Sequence, residues 1–316
     1  MTVALLFSPQ GSQSVGMGRD LAEGMPPARA IFETADAALG WSVRELAWEG
    51  PAERLNETQW TQPALLTTSV AALAALRERI DPAPAFVAGH SVGEYAALVA
   101  AGVLSFPDAL RLVARRGELM AQAAVEGGMA AVIGLDRATV AEAIASVASP
   151  AELVVANDNA PGQIVISGTG SALADAEIAL RAAGARRVIS LPVSGPFHSG
   201  WMAQVCDDLA QAMTKAEWHD ADPPMISNVS AEPVEEAGMI RSLLAEQVRS
   251  PVEWVASVRR MVDEGVETFI ECGPGGALTG MVRRIAPGSR LLNVSDIASL
   301  NATVASLRDL AVGTPA

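Results

Sequence analysis

The sequence predicts an α/β protein: a mainly parallel sheet with helices on both faces, interrupted by a small β-α-β-β-α-β unit. Three observations carry this expectation. Short β-rich runs alternate with longer helical ones through the first 125 residues and again after Pro192, as crossover-connected parallel strands require. Between residues 127 and 192 the rhythm changes to paired strands, the order of a split βαβ unit. Finally, 316 residues at 50% hydrophobic and 18% charged suit one large core with a smaller insertion and exclude a disordered chain.

In order along the chain, Val3 to Phe7 reads as an apolar first strand. Ala64 to Arg79 is an Ala- and Leu-rich helix ended by Pro82 and Pro84. Ala85 to Ala88 is a short strand running straight into Gly89-His90-Ser91-Val92-Gly93, and Glu94 to Ala101 is a helix closed by Gly102. A helix from Pro107 to Ala124 follows. The insertion then reads as strand Met129–Gly134, helix Arg137–Val147, strands Leu153–Asn157 and Gln163–Gly168, helix Ser171–Ala183 and strand Arg187–Leu191, a ferredoxin-like order. Residues 127–192 are thus expected as a small subdomain, with 1–126 and 193–316 forming the main core. Beyond it, Met225–Val229 and Thr268–Glu271 are expected strands, and the last ten residues a frayed tail.

Charge and cysteine content exclude several functions. With 22 Lys and Arg against 36 Asp and Glu, the net charge is −14. Such a chain repels nucleic acid and anionic membrane surfaces. Two cysteines, Cys206 and Cys272, form no disulfide framework and no zinc-ligand spacing, which points to a reducing cytoplasm and no metal. The N-terminus lacks the basic start of a signal peptide. The weakly polar stretch Ala64 to Leu76 stops at Arg77, short of the ~20 residues a membrane span needs.

Gly89-x-Ser91-x-Gly93, with a strand before it and a helix after, matches a nucleophile elbow, the turn that lifts a serine clear of an α/β-hydrolase-like sheet. A Cβ at either glycine would clash in that turn. The Val92 N–H, at the helix N-terminus, would face a developing oxyanion. The competing reading is specific: Ser91-Val92-Gly93-Glu94 also spells a capping box. A serine nucleophile needs a base, and there are three histidines. His90 adjoins Ser91, where side chains rarely meet around a tight turn. His219 lies in a polar, proline-marked loop, Trp218 to Pro224. His198, in Ser194-Gly195-Pro196-Phe197-His198-Ser199 at the edge of the insertion, is left by elimination, at a hinge where a cleft should form.

These stretches resemble the malonyl-CoA:acyl-carrier-protein transacylase family. Gly89-His90-Ser91-Val92-Gly93-Glu94-Tyr95 and Pro196-Phe197-His198-Ser199 carry the resemblance. Further matches are Gln10-Gly11-Ser12-Gln13 with Gly16-Met17-Gly18, Thr61-Gln62-Pro63-Ala64, Arg116-Gly117, Asn157-x-Asn159-x-Pro161-Gly162-Gln163, Gln247-x-x-x-Pro251-Val252-x-Trp254 and Glu271-x-Gly273-Pro274-Gly275. They run in the family's order from about residue 3 to 285 and are jointly highly specific. The resemblance implies ping-pong transfer of a malonyl group from malonyl-CoA to the phosphopantetheine thiol of an acyl carrier protein, with Ser91 as nucleophile and His198 as base. It implies that a backbone carbonyl at Gln247 orients His198, that the N–H groups of Val92 and Gln10 form the oxyanion hole, and that Arg116 holds the malonyl carboxylate. It also puts Gln62, Met120, Phe197 and Asn159 at the substrate. No cofactor is implied, since phosphopantetheine arrives on the partner, and a monomer is the expected state. Fatty-acid, polyketide and malonate-decarboxylase systems all use this catalyst.

Helical arithmetic bears on Arg116 independently. Leu110, Val113, Gly117 and Met120 share a stripe at about 100° per residue, and Arg116 falls about 70° from its centre. Arg115 falls opposite, in solvent. Arg116 either snorkels at this edge or turns inward, where its fork could grip a carboxylate with two parallel bonds. Phe197 either excludes a 2-methyl group, favouring malonyl over methylmalonyl, or is an ordinary core aromatic. One departure from the family pattern is Pro9, where glycine is usual. Should that glycine use a positive φ, the loop and Gln10 would be displaced here. The rivals to the transferase are a serine esterase or thioesterase, which needs an acidic side chain behind the histidine, and a docking module with Ser91 as a mere cap. An acidic carrier protein should be repelled at net −14, so a local basic patch is expected, from Arg186, Arg187, Arg283 or Arg284.

Overall fold

The computed structural model describes residues 2–123 and 126–312. The strands are β1 (Val3–Phe7), β2 (Phe86–Gly89), β3 (Gly128–Ile133), β4 (Leu153–Ala160), β5 (Gln163–Gly168), β6 (Arg187–Ser190), β7 (Met225–Ile226), β8 (Pro233–Val234), β9 (Thr268–Cys272) and β10 (Arg290–Val294). Six of them form one sheet in the order β10-β9-β1-β2-β7-β8. Neighbours pair in parallel except β8, which turns back antiparallel on β7. Every residue of β1 is buried. Leu5 and Phe7 belong to the core on one face, Ala4 and Leu6 to that on the other. A strand covered on both faces has to be apolar throughout, which is why Val-Ala-Leu-Leu-Phe shows no alternation.

The helices are α1 (Arg19–Gly24), α2 (Pro26–Leu39), α3 (Val43–Glu49), α4 (Ala52–Leu55), α5 (Thr58–Arg79), α6 (Gly93–Ala100), α7 (Phe106–Gln122), α8 (Arg137–Ala145), α9 (Gly170–Ala182), α10 (Ala203–Met213), α11 (Ala237–Gln247), α12 (Trp254–Asp263), α13 (Ala277–Ile285) and α14 (Ile297–Val312). The expected alternation is not kept in the first third, where α1 to α5 follow one another between β1 and β2. Helix α5 also begins at Thr58, ahead of the expected Ala64, and carries Pro63 inside it. Proline normally marks a helix start because it removes an N–H. Here nearly every residue from Thr58 to Leu76 is buried, and that packing outweighs the lost bond.

The second sheet is antiparallel throughout, in the order β4-β5-β3-β6. One face packs Val132, Ile164 and Ile166 against Val140, Ile144 and Leu180 of α8 and α9. Met129 and Val165, on the other pleat of β3 and β5, join the main core. Register shifts in β4 between Val155 and Asn157, and between Asp158 and Ala160, extend this strand past its expected end at Asn157. Such bulges re-aim side chains. Asn157 and Asn159 are buried, whereas Asp158 meets Arg137 of α8.

The two sheets meet along a seam. Val252 N–H donates to Ala156 O at 2.9 Å and Asp158 N–H to Val252 O at 3.0 Å. Arg137 grips Glu253 through both guanidinium Nη atoms, Nη2 at 2.7 Å from Oε1. Arg284 donates to Gln163 Oε1 at 2.9 Å and to Pro161 O. Arg284 thus helps tie the seam, but its partners are neutral and its side chain is exposed, so it keeps its charge at the surface. Two terminal expectations change. Strand β7 stops at Ile226, because Ser227 and Asn228 turn away to make other bonds. Residues 307–312 are the end of α14 and not part of a frayed tail, while 313–316 lie outside the described residues. No helix among the described residues is long and apolar enough to cross a membrane.

Candidate active site

The carboxyl ends of β1, β2, β7 and β9 meet at one edge of the parallel sheet, where such sheets place their ligands. Ser91 leaves β2 there with φ 52°, a left-handed conformation unusual for a side-chain-bearing residue and typical of strained functional turns. The flanking glycines are required by contact. A Cβ on Gly89 would lie 2.0 Å from the Gly93 backbone, and one on Gly93 would lie 2.2 Å from Phe7 O. The capping-box alternative fails. The N-cap of α6 is Val92, without a side-chain cap bond. Ser91 Oγ is engaged by His198 and Arg116, and Glu94 points elsewhere.

His198, at φ 57°, brings Nε2 to 2.8 Å from Ser91 Oγ. Its Nδ1 lies 2.9 Å from Gln247 O and 3.1 Å from Ser250 O. Both are acceptors, so Nδ1 carries the proton and Nε2 offers its lone pair to the serine. Burial above all, then the Arg116 charge, depresses His198 from its ordinary 6.5 to about 3, keeping it neutral. His90 is buried as well, 2.7 Å from Asn159 Oδ1 and 5.5 Å from the Trp254 ring, and burial lowers it to about 4. It does not reach the serine. His219 is exposed beside Glu217, in the loop expected for it.

Arg116 is 1% exposed. It turns inward and does not snorkel, while Arg115 reaches solvent and Glu118. Helix α7 comes close to α5 at Gly117, where a Cβ would meet the Gln59 and Thr58 backbone at 3.0 Å. That approach lets Arg116 Nη1 donate to Gln62 Oε1 at 2.7 Å, and Nη2 to Ser91 Oγ at 3.1 Å and Gln247 Oε1 at 3.0 Å. Burial lowers its pKa from the ordinary arginine value, but a guanidinium remains charged. Gln62 also donates to Gln10 Oε1 at 3.4 Å and to Met120 Sδ at 3.5 Å.

A cavity of about 420 Å³ opens over Ser91 and His198, with Gln10, Met120, Asn159 and Phe197 in its wall. Phe197 is buried at 4% exposure. A larger groove of about 930 Å³ shares Met129, Leu191 and Val193 with it but is lined by neither Ser91 nor His198. Neither Val92 N–H nor Gln10 N–H finds an acceptor among the described residues. Around Pro9 the chain makes a turn in which Ser12 N–H donates to Pro9 O, and the positive φ, 97°, falls on Gly11. A proline is compatible with that turn, because the left-handed position is two residues later. No group of three or more His, Cys, Asp or Glu placed to hold a metal ion occurs among the described residues.

Two residues of this site escape a sequence reading. Asn228 accepts from Ser91 N–H at 2.7 Å and donates to Gly89 O at 2.6 Å, clamping the elbow from β7. Its only signal is a polar residue just past the carboxyl end of a strand. Glu94 is 2% exposed, accepts from Asn228 N–H at 3.0 Å and from Gln247 Nε2, and is raised by burial to about 7.

Comparison with known proteins is consistent from end to end. The family model described as acyl transferase domain matches residues 4–301. The malonyl CoA-acyl carrier protein transacylase of Bacillus subtilis is 44% identical over 310 residues, covering 97% of this chain and 98% of that protein. That of Escherichia coli K12 is 45% identical, covering 89% and 92%. Among solved structures, an acyl carrier protein S-malonyltransferase from Vibrio cholerae superposes with TM-score 0.92 at 41% identity, covering 96% of this chain and all of that one. A malonyl-transacylase in complex with a type II PKS acyl-carrier protein gives TM-score 0.94 at 40% identity, covering 97% and 100%. The chain belongs to the acyl transferase family, in its malonyl CoA-acyl carrier protein transacylase branch.

Proposed function

We propose that the chain transfers a malonyl group from malonyl-CoA to the phosphopantetheine thiol of an acyl carrier protein, through a malonyl ester of Ser91. Arg116 carries this reading: a buried guanidinium 3.1 Å from the nucleophile, with no carboxylate against it among the described residues. A cation so placed favours an acyl group that brings its own carboxylate.

In the first half-reaction Ser91 Oγ attacks the thioester carbonyl as its proton passes to His198 Nε2. The oxyanion is held by the N–H groups of Val92 and Gln10. The intermediate then collapses, the C–S bond breaks, and the coenzyme A thiolate takes the proton from His198. The second half runs in reverse with the carrier thiol. Carbonyl oxygens and, among the described residues, no acidic side chain stand behind His198, which weighs against an esterase. The malonyl carboxylate also offsets the Arg116 charge that depresses His198, so the base strengthens when the right acyl group is in place. Gln62 and Met120 would line the acyl end, Asn159 the thioester side, and Phe197 would exclude a 2-methyl branch.

The same proposal reads the parallel sheet as α/β-hydrolase-like, with catalytic core 1–126 and 193–316. Residues 127–192 form a ferredoxin-like subdomain, supported by the β-α-β-β-α-β order with its first and third strands central. It asks for no resident cofactor or metal and for a cytoplasmic monomer. Intact-mass spectrometry after brief exposure to malonyl-CoA tests the reading. A malonyl adduct on wild type but not on Ser91→Ala, discharged by holo carrier protein and not by water, is expected. An adduct that water removes as fast would make the chain a hydrolase.

A further inference from the structure

We propose that Glu94 is a positioning residue for acyl selection: through the side-chain amide of Gln247 it holds Arg116 in place without neutralising it. This rests on the reading above, in which Arg116 receives the substrate carboxylate.

Both oxygens of Glu94 are met by donors, Oε1 by Asn228 N–H at 3.0 Å and Oε2 by Gln247 Nε2. Neither partner can accept there, so the ionised carboxylate satisfies this site. Gln247 Nε2 also donates to Ser91 O at 2.9 Å. With its amino end committed twice, Gln247 must turn Oε1 the other way, where it accepts from Arg116 Nη2 at 3.0 Å. Glu94 and Arg116 therefore face each other across an oriented amide. A carboxylate touching Arg116 would occupy its fork and repel a second carboxylate. Neutral Gln247 and Gln62 position both Nη atoms and keep every carboxylate among the described residues out of contact with the guanidinium. The counter-ion that touches it arrives as the substrate.

Changing Glu94→Gln keeps the shape and acceptance from Asn228, but sets an NH2 against the NH2 of Gln247. The Gln247 amide must flip, presenting its own NH2 to the guanidinium. Hydrogen bonds to charged groups imply an effect of about ten-fold. The test compares kcat/KM for malonyl-CoA and acetyl-CoA, with holo carrier protein as acceptor, at mildly alkaline pH. Glu94→Gln is expected to lower the malonyl-to-acetyl ratio about ten-fold. Arg116→Ala should abolish the preference, and adding Glu94→Gln to Arg116→Ala should leave the ratio where it was. If Arg116→Ala abolishes the preference while Glu94→Gln lowers both acyl groups equally, Glu94 is only structural and the proposal falls. A wild type that prefers neither acyl group overturns the Arg116 reading and the proposal with it. Should Glu94→Gln not fold, Gln247→Met cuts the same link, and an unchanged ratio there overturns the proposal.

Discussion

His198 and His90 are both held neutral by burial, at about 3 and about 4 against an ordinary 6.5. Between those values and 6.5 the unfolded chain binds more protons, so their contribution to stability is present above 6.5. It is lost as pH falls through the folded values, at up to about 1.4 kcal/mol per pH unit for each. Glu94 acts oppositely: raised from 4.5 to about 7, it favours the folded state less as pH rises through that window. Two histidines against one carboxyl leave these three groups favouring a net loss on acidification. Denaturant unfolding between neutral pH and pH 5 should show this, with His198→Ala losing stability less steeply by about one proton; equal slopes would mean folded His198 is already charged. Phe197 makes a second residue-scale prediction. Phe197→Ala should raise methylmalonyl relative to malonyl transfer by roughly 10–100-fold, the value of one methyl group in a tight pocket. An unchanged ratio would make it an ordinary core aromatic. Ser91 and His198 stood out in the sequence through elbow spacing and elimination, whereas helical phase left Arg116 at the edge of the buried face, to snorkel or to turn inward, and the structure turns it inward. Glu94 and Asn228 did not stand out. Ser-x-x-Glu spells a cap whether or not it forms one, and the partners of Asn228 are more than a hundred residues away.

At the scale of elements, two close approaches build the site. Helix α6 starts against β1 through Gly93, and α7 meets α5 through Gly117. Gly93→Ala puts a Cβ 2.2 Å from Phe7 O, and backbone cannot yield as a flexible side chain would. This variant should lose acylation of Ser91 together with a substantial part of its thermal stability. Gly117→Ala is milder, with contacts at 3.0 Å. It should cost about 1–3 kcal/mol by overpacking, and by moving Arg116 off Gln62 should raise KM for malonyl-CoA. Full stability with unaltered KM would show that α5 and α7 can part without consequence. The buried strands and amphipathic α7 were readable as elements because their patterns are local. The start of α5 was not, because a proline favours a helix N-terminus and only burial on nearly every side overrides it.

For the whole molecule, residues of the small sheet and of the loops leaving the parallel one line the cavity, and the seam holds the two sheets together. One short segment, from Gln247 to Glu253, supplies the carbonyls behind His198, the Val252 main-chain bonds to β4 and the carboxylate for Arg137. The small sheet and His198 are thus tied to the same stretch of backbone. The Arg137–Glu253 pair is partly exposed, so a double-mutant cycle should assign it under about 1 kcal/mol. The Val252 main-chain bonds should hold the seam without it, and a larger value would make the ion pair the principal tie. By itself the sequence determined the parallel core with its insertion and the tight Gly-x-Ser-x-Gly turn, because these depend on contacts within a few residues or on patterns of burial, while the acyl transferase family was legible only through the resemblance of its motifs to known ones. Only the tertiary structure decided that Ser250 O joins Gln247 O behind His198, how Gln10, Gln62 and Arg116 converge, and which groups Glu94 meets. The partner of a buried polar group is whichever distant segment packing brings to it, and no local propensity encodes that choice.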